Sequence, residues 1–414
     1  MLNKDIVKDC LSCKVKPCQK GCPLSNDITG FIQLVKEEKY KKAYELSCET
    51  TVLQPICGRI CPHAKQCQGS CVRRIKFTPI EIGKVEAFLG DMAIKNNWEI
   101  PKFTDVKNGK KVAVVGGGPA GLTCSAFLAR NGFEVTIYEK HEALGGVIEH
   151  GIPDFRLDRG VLENTVKKIL DLGINVEYNK ELGKDFSIED LENEYDAIFL
   201  SFGKNNSSKM GIEGEDKNEV LGGNELLENK QYPEFKGKKV AIIGGGNVAM
   251  DTARTVKKLG ADKVVVIYRR SEEEMPAEKI EILEAKEDGV EFLFQTNILK
   301  VLGGERVEKI ECIKTKLIQK EGKTRKVPVN IENSNFLIDI DYVIMAVGSE
   351  TDKSLIKGID IKTTQRGTIE IDENYKTSRE KVFAGGDLAG AKGTVAWAAR
   401  AGRDAADAIM EYLK

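Results

Sequence analysis

One pattern of residues occurs twice in this chain, and the repeat limits the possible fold more than any other feature. The first copy, KKVAVVGGGPAGLTCSAFLARNGFEVTIYEK, begins at Lys110, and the second, KKVAIIGGGNVAMDTARTVKKLGADKVVVIYRR, begins at Lys238. Each copy predicts an apolar strand, a glycine turn, a helix and a second strand rich in β-branched residues. A glycine turn in this context is typical of a dinucleotide-binding fold. We therefore expect two Rossmann-like domains.

The first copy predicts a site for an adenine nucleotide with a free ribose. Gly116 and Gly118 permit a tight turn and the close approach of a pyrophosphate, and Gly121 lets the helix pack near the strand. The N-terminus of that helix supplies N–H donors and the positive end of the helix dipole. Glu139 ends the second strand, where its carboxylate can accept hydrogen bonds from ribose hydroxyls.

The second copy differs at the positions that select the nucleotide. Its turn contains Gly244, Gly246 and Ala249, and its second strand is followed by Arg269 and Arg270 instead of a carboxylate. Guanidinium groups can donate paired hydrogen bonds to a 2′-phosphate. The second site is therefore predicted to bind an NADP-type ligand.

Further glycine-rich segments indicate a flavoenzyme with two dinucleotide sites. The segment LGGVIEHGIPDFRL begins at Leu144, and VFAGGDLAGAKGTV lies near the C-terminus. In the latter, Asp387 is a candidate partner of the ribityl or phosphate part of a flavin, and a helix starting near Thr394 can direct its dipole at the isoalloxazine carbonyl. An ordinary loop aspartate is the alternative for Asp387.

Nine of the 11 cysteines fall within the first 71 residues. Disulfides would require an oxidising compartment, and the charged N-terminus does not resemble a secretory leader. Zinc usually prefers paired C-x2-C knuckles with a longer spacer. The spacing C-x2-C-x4-C-x3-C-P, which starts at Cys10, instead resembles the bacterial ferredoxin arrangement, in which the fourth cysteine binds the other cluster. Iron–sulfur clusters are therefore predicted, with zinc and disulfides as the alternatives.

Charge and hydropathy exclude several classes of partner. The 63 basic and 64 acidic residues give a net charge of −1, which argues against recruitment to nucleic acid or membranes by bulk charge. The longest uncharged run, residues 112–129, contains GGGPAG and suits a strand–turn–helix rather than a membrane span. A cytoplasmic location is expected. His63, His141 and His150 stand in isolation, so no catalytic acid or base is predicted.

Taken in order, the cysteine boxes, GGGPAG, GIPDFRL, GGGNVAMD, YRRSEEEMPA and GGDLAGAKGTV resemble the small (β) subunit family of bacterial NADPH-dependent glutamate synthase. The same module is similar to the large subunit of the bifurcating ferredoxin:NADP transhydrogenase and to the N-terminal part of dihydropyrimidine dehydrogenase. The resemblance implies an α/β protein with an N-terminal α-helical iron–sulfur domain and two nested Rossmann-like domains. The expected bounds are 1–105 for the double [4Fe-4S] domain, 106–235 and 346–414 for the FAD domain, and 236–345 for the NAD(P)H domain.

The resemblance also implies specific ligands. One [4Fe-4S] cluster would be bound by Cys10, Cys13, Cys18 and Cys71, and the other by Cys22, Cys61, Cys67 and Glu86. Cys57 would not be a ligand, and Cys48 has no assigned role. For FAD the implied contacts are Gly116, Gly118, Pro119, Ala120, Gly121, Glu139, Lys140, Gly145, Gly146, Val147, Arg156, Gly386, Asp387, Thr394 and Val395. NADPH would contact Gly244, Gly246, Asn247, Val248, Ala249, Arg269 and Arg270.

The implied function is electron transfer from NADPH through FAD and two clusters to a partner protein. A glutamate synthase large subunit is the favoured partner, and a bifurcating flavin subunit or a hydrogenase is compatible with the same residues. Glu272 lies close to the proposed phosphate site, which leaves NADH open as the coenzyme. Two other hypotheses are a disulfide reductase, which would need a cysteine pair beside the flavin, and an electron carrier that has lost turnover.

Overall fold

The computed structural model describes residues 5–322 and 325–414, which form two compact units. The first unit contains the chain up to Glu149 together with Asp154–Lys204 and Thr351–Lys414. The second contains His150–Pro153 and Asn205–Glu350, and so starts earlier than residue 236, where the sequence placed the second dinucleotide domain. The division into three domains, with the FAD domain in two segments, remains a prediction.

The helices concentrate in the N-terminal part and around the two parallel sheets. Short 3-10 helices lie at His63–Lys65, Val72–Ile75, Glu272–Glu274 and Gly386–Ala389. The α-helices are α1 (Asp5–Lys8), α2 (Pro17–Gly21), α3 (Ile28–Lys36), α4 (Tyr40–Ser47), α5 (Gln54–Ile60), α6 (Ile82–Lys95), α7 (Pro119–Arg130), α8 (Val147–His150), α9 (Arg159–Leu170), α10 (Ile188–Glu194), α11 (Gly223–Asn229), α12 (Asn247–Lys258), α13 (Lys279–Glu287), α14 (Lys353–Gly358) and α15 (Val395–Tyr412).

The strands belong to four sheets. They are β1 (Lys111–Val115), β2 (Glu134–Glu139), β3 (Asn175–Tyr178), β4 (Ala197–Leu200), β5 (Asn206–Ser207), β6 (Val220–Gly222), β7 (Lys239–Ile243), β8 (Lys263–Tyr268), β9 (Glu291–Phe294), β10 (Thr296–Leu302), β11 (Lys309–Ile318), β12 (Val327–Asp339), β13 (Tyr342–Met345), β14 (Ser349–Glu350) and β15 (Val382–Ala384).

Each compact unit contains one five-stranded parallel sheet with the same topology. The order is β15-β4-β1-β2-β3 in the first unit and β6-β13-β7-β8-β9 in the second. Such strands are buried on both faces by helices and loops, which explains the apolar runs of β1, β4, β7 and β13. The predicted fold class, an N-terminal helical region followed by two Rossmann-like domains, is confirmed.

The second unit also contains an antiparallel sheet that the repeat does not predict. Strands β10, β11 and β12 form it between β9 and β13, and β11 pairs with β12 from Lys309↔Asp339 to Ile318↔Val327. The turn of this hairpin falls at residues 319–326, of which 323 and 324 lie outside the described residues.

The apolar spacing of residues 27–49 predicts one helical stretch, whereas the structure has two helices there. Helix α3 ends at Lys36, and Glu38 takes a left-handed conformation with φ of 58°. The Lys39 amide then donates to the Leu34 carbonyl, which terminates the helix as C-terminal capping motifs do. The apolar spacing continues on both sides of the break because α3 and α4 pack their apolar side chains into the same core.

Within the described part of the chain, no helix is long and apolar enough to cross a membrane.

Candidate functional site

The first glycine turn connects β1 to α7 as the sequence predicts. Gly116 has a φ of 99°, in the left-handed region that side chains with a Cβ rarely adopt. A Cβ on Gly121 would lie 2.0 Å from the Gly116 carbonyl oxygen, so only glycine permits this approach of helix and turn. Helix α7 starts with Pro119 and has no side-chain cap, which leaves its first amides directed at the turn.

Glu139 closes the turn from the neighbouring strand. Its Oε2 accepts a hydrogen bond from the Gly117 amide at 2.8 Å, and its Oε1 accepts one from the His141 amide at 3.0 Å. A carboxylate offers roughly four lone-pair positions, so acceptor positions remain for ribose hydroxyls. The geometry is compatible with the predicted ribose contact and adds a role in fixing the turn.

The LGGV loop packs directly on the same turn. The Gly145 amide donates to the Gly117 carbonyl at 2.9 Å, and a Cβ on Gly146 would lie 2.8 Å from the Gly118 Cα. Two backbones therefore meet with no side chain between them. A Cβ on Gly118 would have only the Gly146 Cα within 4 Å, at 3.8 Å, so an open cradle remains beside the N-terminus of α7. Such a cradle fits a pyrophosphate group.

Asp387 brings a buried carboxylate to this region. It follows Gly386, whose Cβ, if present, would lie 3.0 Å from the Ala120 Cβ. Its Oδ1 atom is buried and has no hydrogen-bond partner. Burial raises the pKa of this carboxyl, an effect that the Lys204 ammonium partly offsets. A buried acceptor without a partner is costly, and a ligand hydroxyl would satisfy it.

Helix α15 joins the C-terminal segment to α7. Thr394 caps it by accepting a hydrogen bond from the Trp397 amide, and Gly402 lies so close that a Cβ there would be 2.1 Å from the Ala120 carbonyl oxygen. The structure thus brings the predicted residues of three distant segments together. These are Gly116, Gly118, Pro119, Ala120, Gly121, Glu139, Gly145, Gly146, Gly386 and Asp387.

The remaining predicted flavin contacts are not tested by the geometry. Lys140 and Val147 are exposed, Arg156 is partly exposed, and Val395 forms the first turn of α15. Their contacts with a flavin remain predictions. The donor set at the turn, the open cradle and the unsatisfied Asp387 oxygen together fit an FAD.

The first predicted cysteine set lines one pocket of the N-terminal region. Apolar side chains, among them Ile28, Ile32, Ile80 and Ile82, form part of the same lining. Burial raises the pKa of the Cys18 thiol to about 11, and nearby Cys10 and Cys71 raise it further. The Cys18 thiol therefore keeps its proton at neutral pH, and a metal ion that binds the sulfur would displace that proton. The lining cysteines are Cys10, Cys13, Cys18 and Cys71.

The second predicted set is also assembled. Burial raises the pKa of Cys22 to about 11, with Glu86 as the next cause and Cys61 a smaller one. The pKa of Cys67 is raised well above its usual range by burial, Glu86, Cys22 and Cys61, in that order. These four side chains interact with one another, which is the arrangement that the resemblance implies.

Cys57 lies beside this second set. A hydrogen bond with Cys61 and then burial raise its pKa well above the ordinary value, and Glu86 and Cys22 contribute. The geometry therefore offers a fifth side chain to the set, and the choice between Cys57 and Glu86 as a ligand is open to experiment.

Among the described residues, no three His, Cys, Asp or Glu side chains converge on a point where one ion could bind. Each cysteine of a four-iron cluster binds a different iron, so its ligands surround a volume and need not converge. The two sets of thiols and the apolar pocket of the first set fit such clusters.

Glu86 is the polar member of the second set. It lies on α6, is 7% exposed, and its Oε1 accepts a hydrogen bond from Asn26 Nδ2 at 3.3 Å. Thr50 Oγ1 donates to Asn26 Oδ1 at 3.1 Å and so orients the amide. Burial raises the pKa of Glu86 to about 8 despite the Asn26 bond. Asn26 and Thr50 are functional candidates that the sequence does not reveal. Asn26 directly precedes Asp27, the N-cap residue of α3, and its position in the sequence does not indicate a contact with Glu86.

Two arginines of α15 hold the segment that follows Cys22. Arg400 Nη1 donates to the Pro23 carbonyl at 3.1 Å, and Arg403 Nη1 donates to the Leu24 carbonyl at 2.8 Å. Asp404 accepts a hydrogen bond from each guanidinium, at 3.1 and 2.8 Å, and so fixes both side chains. The cysteine region and the first dinucleotide fold are thereby joined through one helix.

The second glycine turn repeats the first. Gly244 has a φ of 148°, and a Cβ there would lie 2.2 Å from the Ala346 carbonyl oxygen. Asn247 begins α12, and its Oδ1 accepts a hydrogen bond from the Glu278 amide at 3.0 Å. Ala249 is fully buried at the position equivalent to Gly121, whereas Val248 is partly exposed.

The two arginines that follow β8 are held by neighbouring backbone and side chains. Thr315 Oγ1 donates to the Arg269 carbonyl at 2.9 Å, and Arg270 Nε donates to the Lys326 carbonyl at 3.2 Å. Glu272, the acid near the proposed phosphate site that left NADH as an alternative coenzyme, pairs with Lys286 at 2.7 Å. Its charge is therefore compensated by the ammonium group of Lys286.

Comparison with protein families assigns residues 110–405 to the pyridine nucleotide-disulphide oxidoreductases. The chain belongs to this family. Residues 4–98 match a second family, dihydropyrimidine dehydrogenase domain II with a 4Fe-4S cluster. The first match, over residues 110–405, covers both dinucleotide folds. It confirms the predicted class of enzyme, an oxidoreductase that uses a pyridine nucleotide.

Individual relatives confirm the resemblance drawn from the motifs. The chain is 34% identical to the glutamate synthase [NADPH] small chain of Escherichia coli over 98% of its own length and 90% of that protein. It is 34% identical to the NADP(+)-dependent formate dehydrogenase subunit beta of Moorella thermoacetica over 96% of its length and 60% of that protein. Among solved structures, FprA from Mycobacterium tuberculosis superposes with a TM-score of 0.65 over 73% of this chain and 84% of that chain, at 17% identity.

The family name raises the question of a redox-active cysteine pair. All eleven cysteines are free, and outside the N-terminal region only Cys124 and Cys312 occur. Cys124 is buried in α7 and Cys312 is buried in β11, and burial raises the pKa of each thiol, to about 12 for Cys312. Reactive thiols have lowered pKa values and partial exposure. This residue pattern argues against disulfide reduction.

Proposed function

We propose that this chain is an FAD- and iron–sulfur-containing oxidoreductase that takes electrons from NADPH and delivers them to a partner protein. One observation carries the proposal. Helix α15 packs on α7 at the first glycine turn, and its Arg400 and Arg403 hold the backbone that follows Cys22. A flavin site and a cysteine region built on one shared helix are what electron transfer between two cofactors requires.

The cofactors supply the redox chemistry, since a flavin accepts electrons in pairs and iron–sulfur clusters carry them singly. The residues of the chain would bind these cofactors and orient them. The amides at the start of α7 and the cradle at Gly146 would hold the pyrophosphate, Glu139 the ribose, and Asp387 a hydroxyl of the ribityl chain.

The N-terminal residues would hold two [4Fe-4S] clusters. Cys10, Cys13, Cys18 and Cys71 would bind one, in the apolar pocket that they line. Cys22, Cys61, Cys67 and Glu86 would bind the other, with Asn26 orienting the carboxylate through its hydrogen bond. Burial of Cys67 and Glu86 would limit the access of water to the metal of the second set.

The second glycine turn would hold NADPH, with Arg269 and Arg270 on its 2′-phosphate. Oxidation of each NADPH to NADP⁺ supplies two electrons and one proton, and the electrons leave one at a time to the partner. The favoured partner is a glutamate synthase large subunit, because the relatives that match nearly their full length are glutamate synthase small chains. A formate dehydrogenase or other NADP-linked complex is the second candidate, since a relative of that kind matches nearly the whole chain.

The direct test is the cofactor content and reactivity of protein purified without oxygen. We expect about eight irons and one FAD per chain, and reduction of a viologen dye with NADPH as donor. Zinc in stoichiometric amount with little iron would contradict the cluster assignment. A full cofactor load without NADPH-dependent dye reduction would favour a non-catalytic carrier. Addition of a glutamate synthase large subunit then tests the partner through NADPH-dependent glutamate formation.

Replacement of Glu86 by glutamine is expected to alter one cluster and spare the other. The amide keeps the size of the side chain and its contact with Asn26 but removes the anionic ligand. Redox titration followed by electron paramagnetic resonance should show a shifted potential and spin signal for a single cluster. Glu81→Gln, a partly exposed glutamate at the start of the same helix, is the matched control. Unchanged potentials in Glu86→Gln would assign Glu86 a structural role.

A further inference from the structure

The hairpin of β11 and β12 reaches the end of β8, where the coenzyme phosphate is expected. Thr315, on β11, donates to the Arg269 carbonyl, and the Lys326 carbonyl, just before β12, accepts from Arg270 Nε. These bonds tie the Arg269 backbone and the Arg270 side chain to an element that lies outside the repeated strand–turn–helix pattern. The hairpin is thus part of the framework of the second site.

Arg325 places a third guanidinium at this corner. Its Nη2 lies 3.2 Å from Tyr268 Oη and also donates to the Glu274 carbonyl. The Tyr268 ring covers the second glycine turn, since a Cβ on Gly245 would lie 2.6 Å from a ring carbon. Arg325 therefore contacts the last residue of β8, whose ring covers the second glycine turn.

The charge of the hairpin supports an anionic ligand. Residues 314–326 contain six lysines and arginines and one glutamate, in a chain whose net charge is −1. Lys326 neighbours Arg325 in sequence, and its backbone contacts Arg270. Among the acids that follow the arginine pair, Glu272 pairs with Lys286 and Glu273 is exposed. The Glu274 carboxylate accepts hydrogen bonds from Ser271, which lower its pKa, and the nearby charges of Lys326 and Arg325 lower it further.

We propose that Arg325 and Lys326, carried by the β11–β12 hairpin, complete the 2′-phosphate site together with Arg269 and Arg270. The inference rests on the proposed function in one respect, namely that the second fold binds a dinucleotide. It adds residues far along the chain from the glycine turn, and it makes the inserted sheet a determinant of coenzyme choice. A phosphate dianion there would contact cationic side chains from two elements, the end of β8 and the β11–β12 hairpin. Arginines in this arrangement can donate paired hydrogen bonds to the phosphate.

The test is calorimetric binding of two probes to the holoenzyme, adenosine 2′,5′-bisphosphate and AMP. Arg325→Met and Lys326→Met are each expected to weaken bisphosphate binding about tenfold and to leave AMP binding unchanged, because only the first probe has a 2′-phosphate. Arg325→Lys should restore part of the loss, since the charge remains but the planar fork is gone. Lys320→Met, an exposed lysine of the same turn, is the matched control and should bind both probes as the wild type does.

The outcomes separate this inference from the proposed function. If Arg269→Ala/Arg270→Ala loses bisphosphate affinity while Arg325→Met and Lys326→Met retain it, the hairpin is not part of the phosphate site and the inference is wrong. Equal weakening of both probes in the hairpin variants would also overturn it, since that result indicates a structural role for Arg325. If the wild type binds the bisphosphate no better than AMP, the NADPH assignment itself fails.

Discussion

Replacing Cys67 with alanine is expected to remove one cluster and about half of the iron, that is about four of about eight atoms per chain. Cys67 is 5% exposed and interacts with Cys22, Cys61 and Glu86. Alanine offers no electron pair to iron, so the assigned set would keep only Cys22, Cys61 and Glu86. Iron analysis and the spin signals of the reduced protein measure the result, and electron delivery to a protein acceptor should fall to near background.

Cys57→Ala is the matched control for this prediction. Cys57 is as deeply buried as Cys67 and lies against Cys61, so loss of a buried thiol is common to both variants. Only Cys67 is assigned as a ligand, and Cys57→Ala should therefore retain about eight irons. The reverse result, with iron retained in Cys67→Ala and lost in Cys57→Ala, would replace Cys67 by Cys57 in the ligand set. Loss of iron from Cys57→Ala together with unchanged clusters in Glu86→Gln would replace Glu86 by Cys57.

Local sequence patterns predicted the glycine turns and the helices, because these elements depend mainly on residues that are close in the sequence. A glycine turn between an apolar strand and a helix is determined by a few adjacent residues, and both turns have the expected conformations at Gly116 and Gly244. The spacing of residues 27–49 predicted helix but missed its division at Glu38, because no residue there enforces a left-handed conformation in the way glycine does.

The sites that depend on distant segments could be predicted only through the resemblance. From the sequence, Glu86 is one more glutamate on an amphipathic helix and Asp387 is a loop aspartate. The fold gives Glu86 a buried partner, Asn26, and leaves Asp387 Oδ1 buried without a partner among the described residues. The structure brings them into position, while their roles as ligands remain predictions.

Some residues carried no sequence signal at all. Arg403 and Leu24 are 379 positions apart, and a lysine or arginine on a helix ordinarily indicates a solvated face. Arg325 is separated from Arg270 by two strands of the inserted sheet, β10 and β11, which the repeat does not contain. Hydrogen bonds from a side chain to a distant backbone carbonyl depend on the final packing of the elements. No local spacing in a single sequence indicates them.

Removing both arginines after β8 is expected to abolish the preference for NADPH. Guanidinium bonds to phosphate contribute roughly 1.5–3 kcal/mol each when well formed, so each lost bond lowers kcat/KM with NADPH about tenfold or more. NADH lacks the 2′-phosphate, and its kcat/KM should change little in Arg269→Ala/Arg270→Ala. Steady-state rates with both coenzymes and an artificial acceptor measure the ratio.

The pairing of Glu272 with Lys286 predicts a second, smaller effect on the same ratio. Both side chains are partly exposed, so their ion pair adds little to the stability of the fold. Its loss in Lys286→Met would leave the Glu272 carboxylate uncompensated near the arginines, and NADPH affinity should fall most at low ionic strength, where charges are least screened. Glu272→Gln/Lys286→Met should regain the wild-type preference. If the wild type favours NADH, or the double arginine variant keeps its full preference for NADPH, Arg269 and Arg270 do not bind the phosphate.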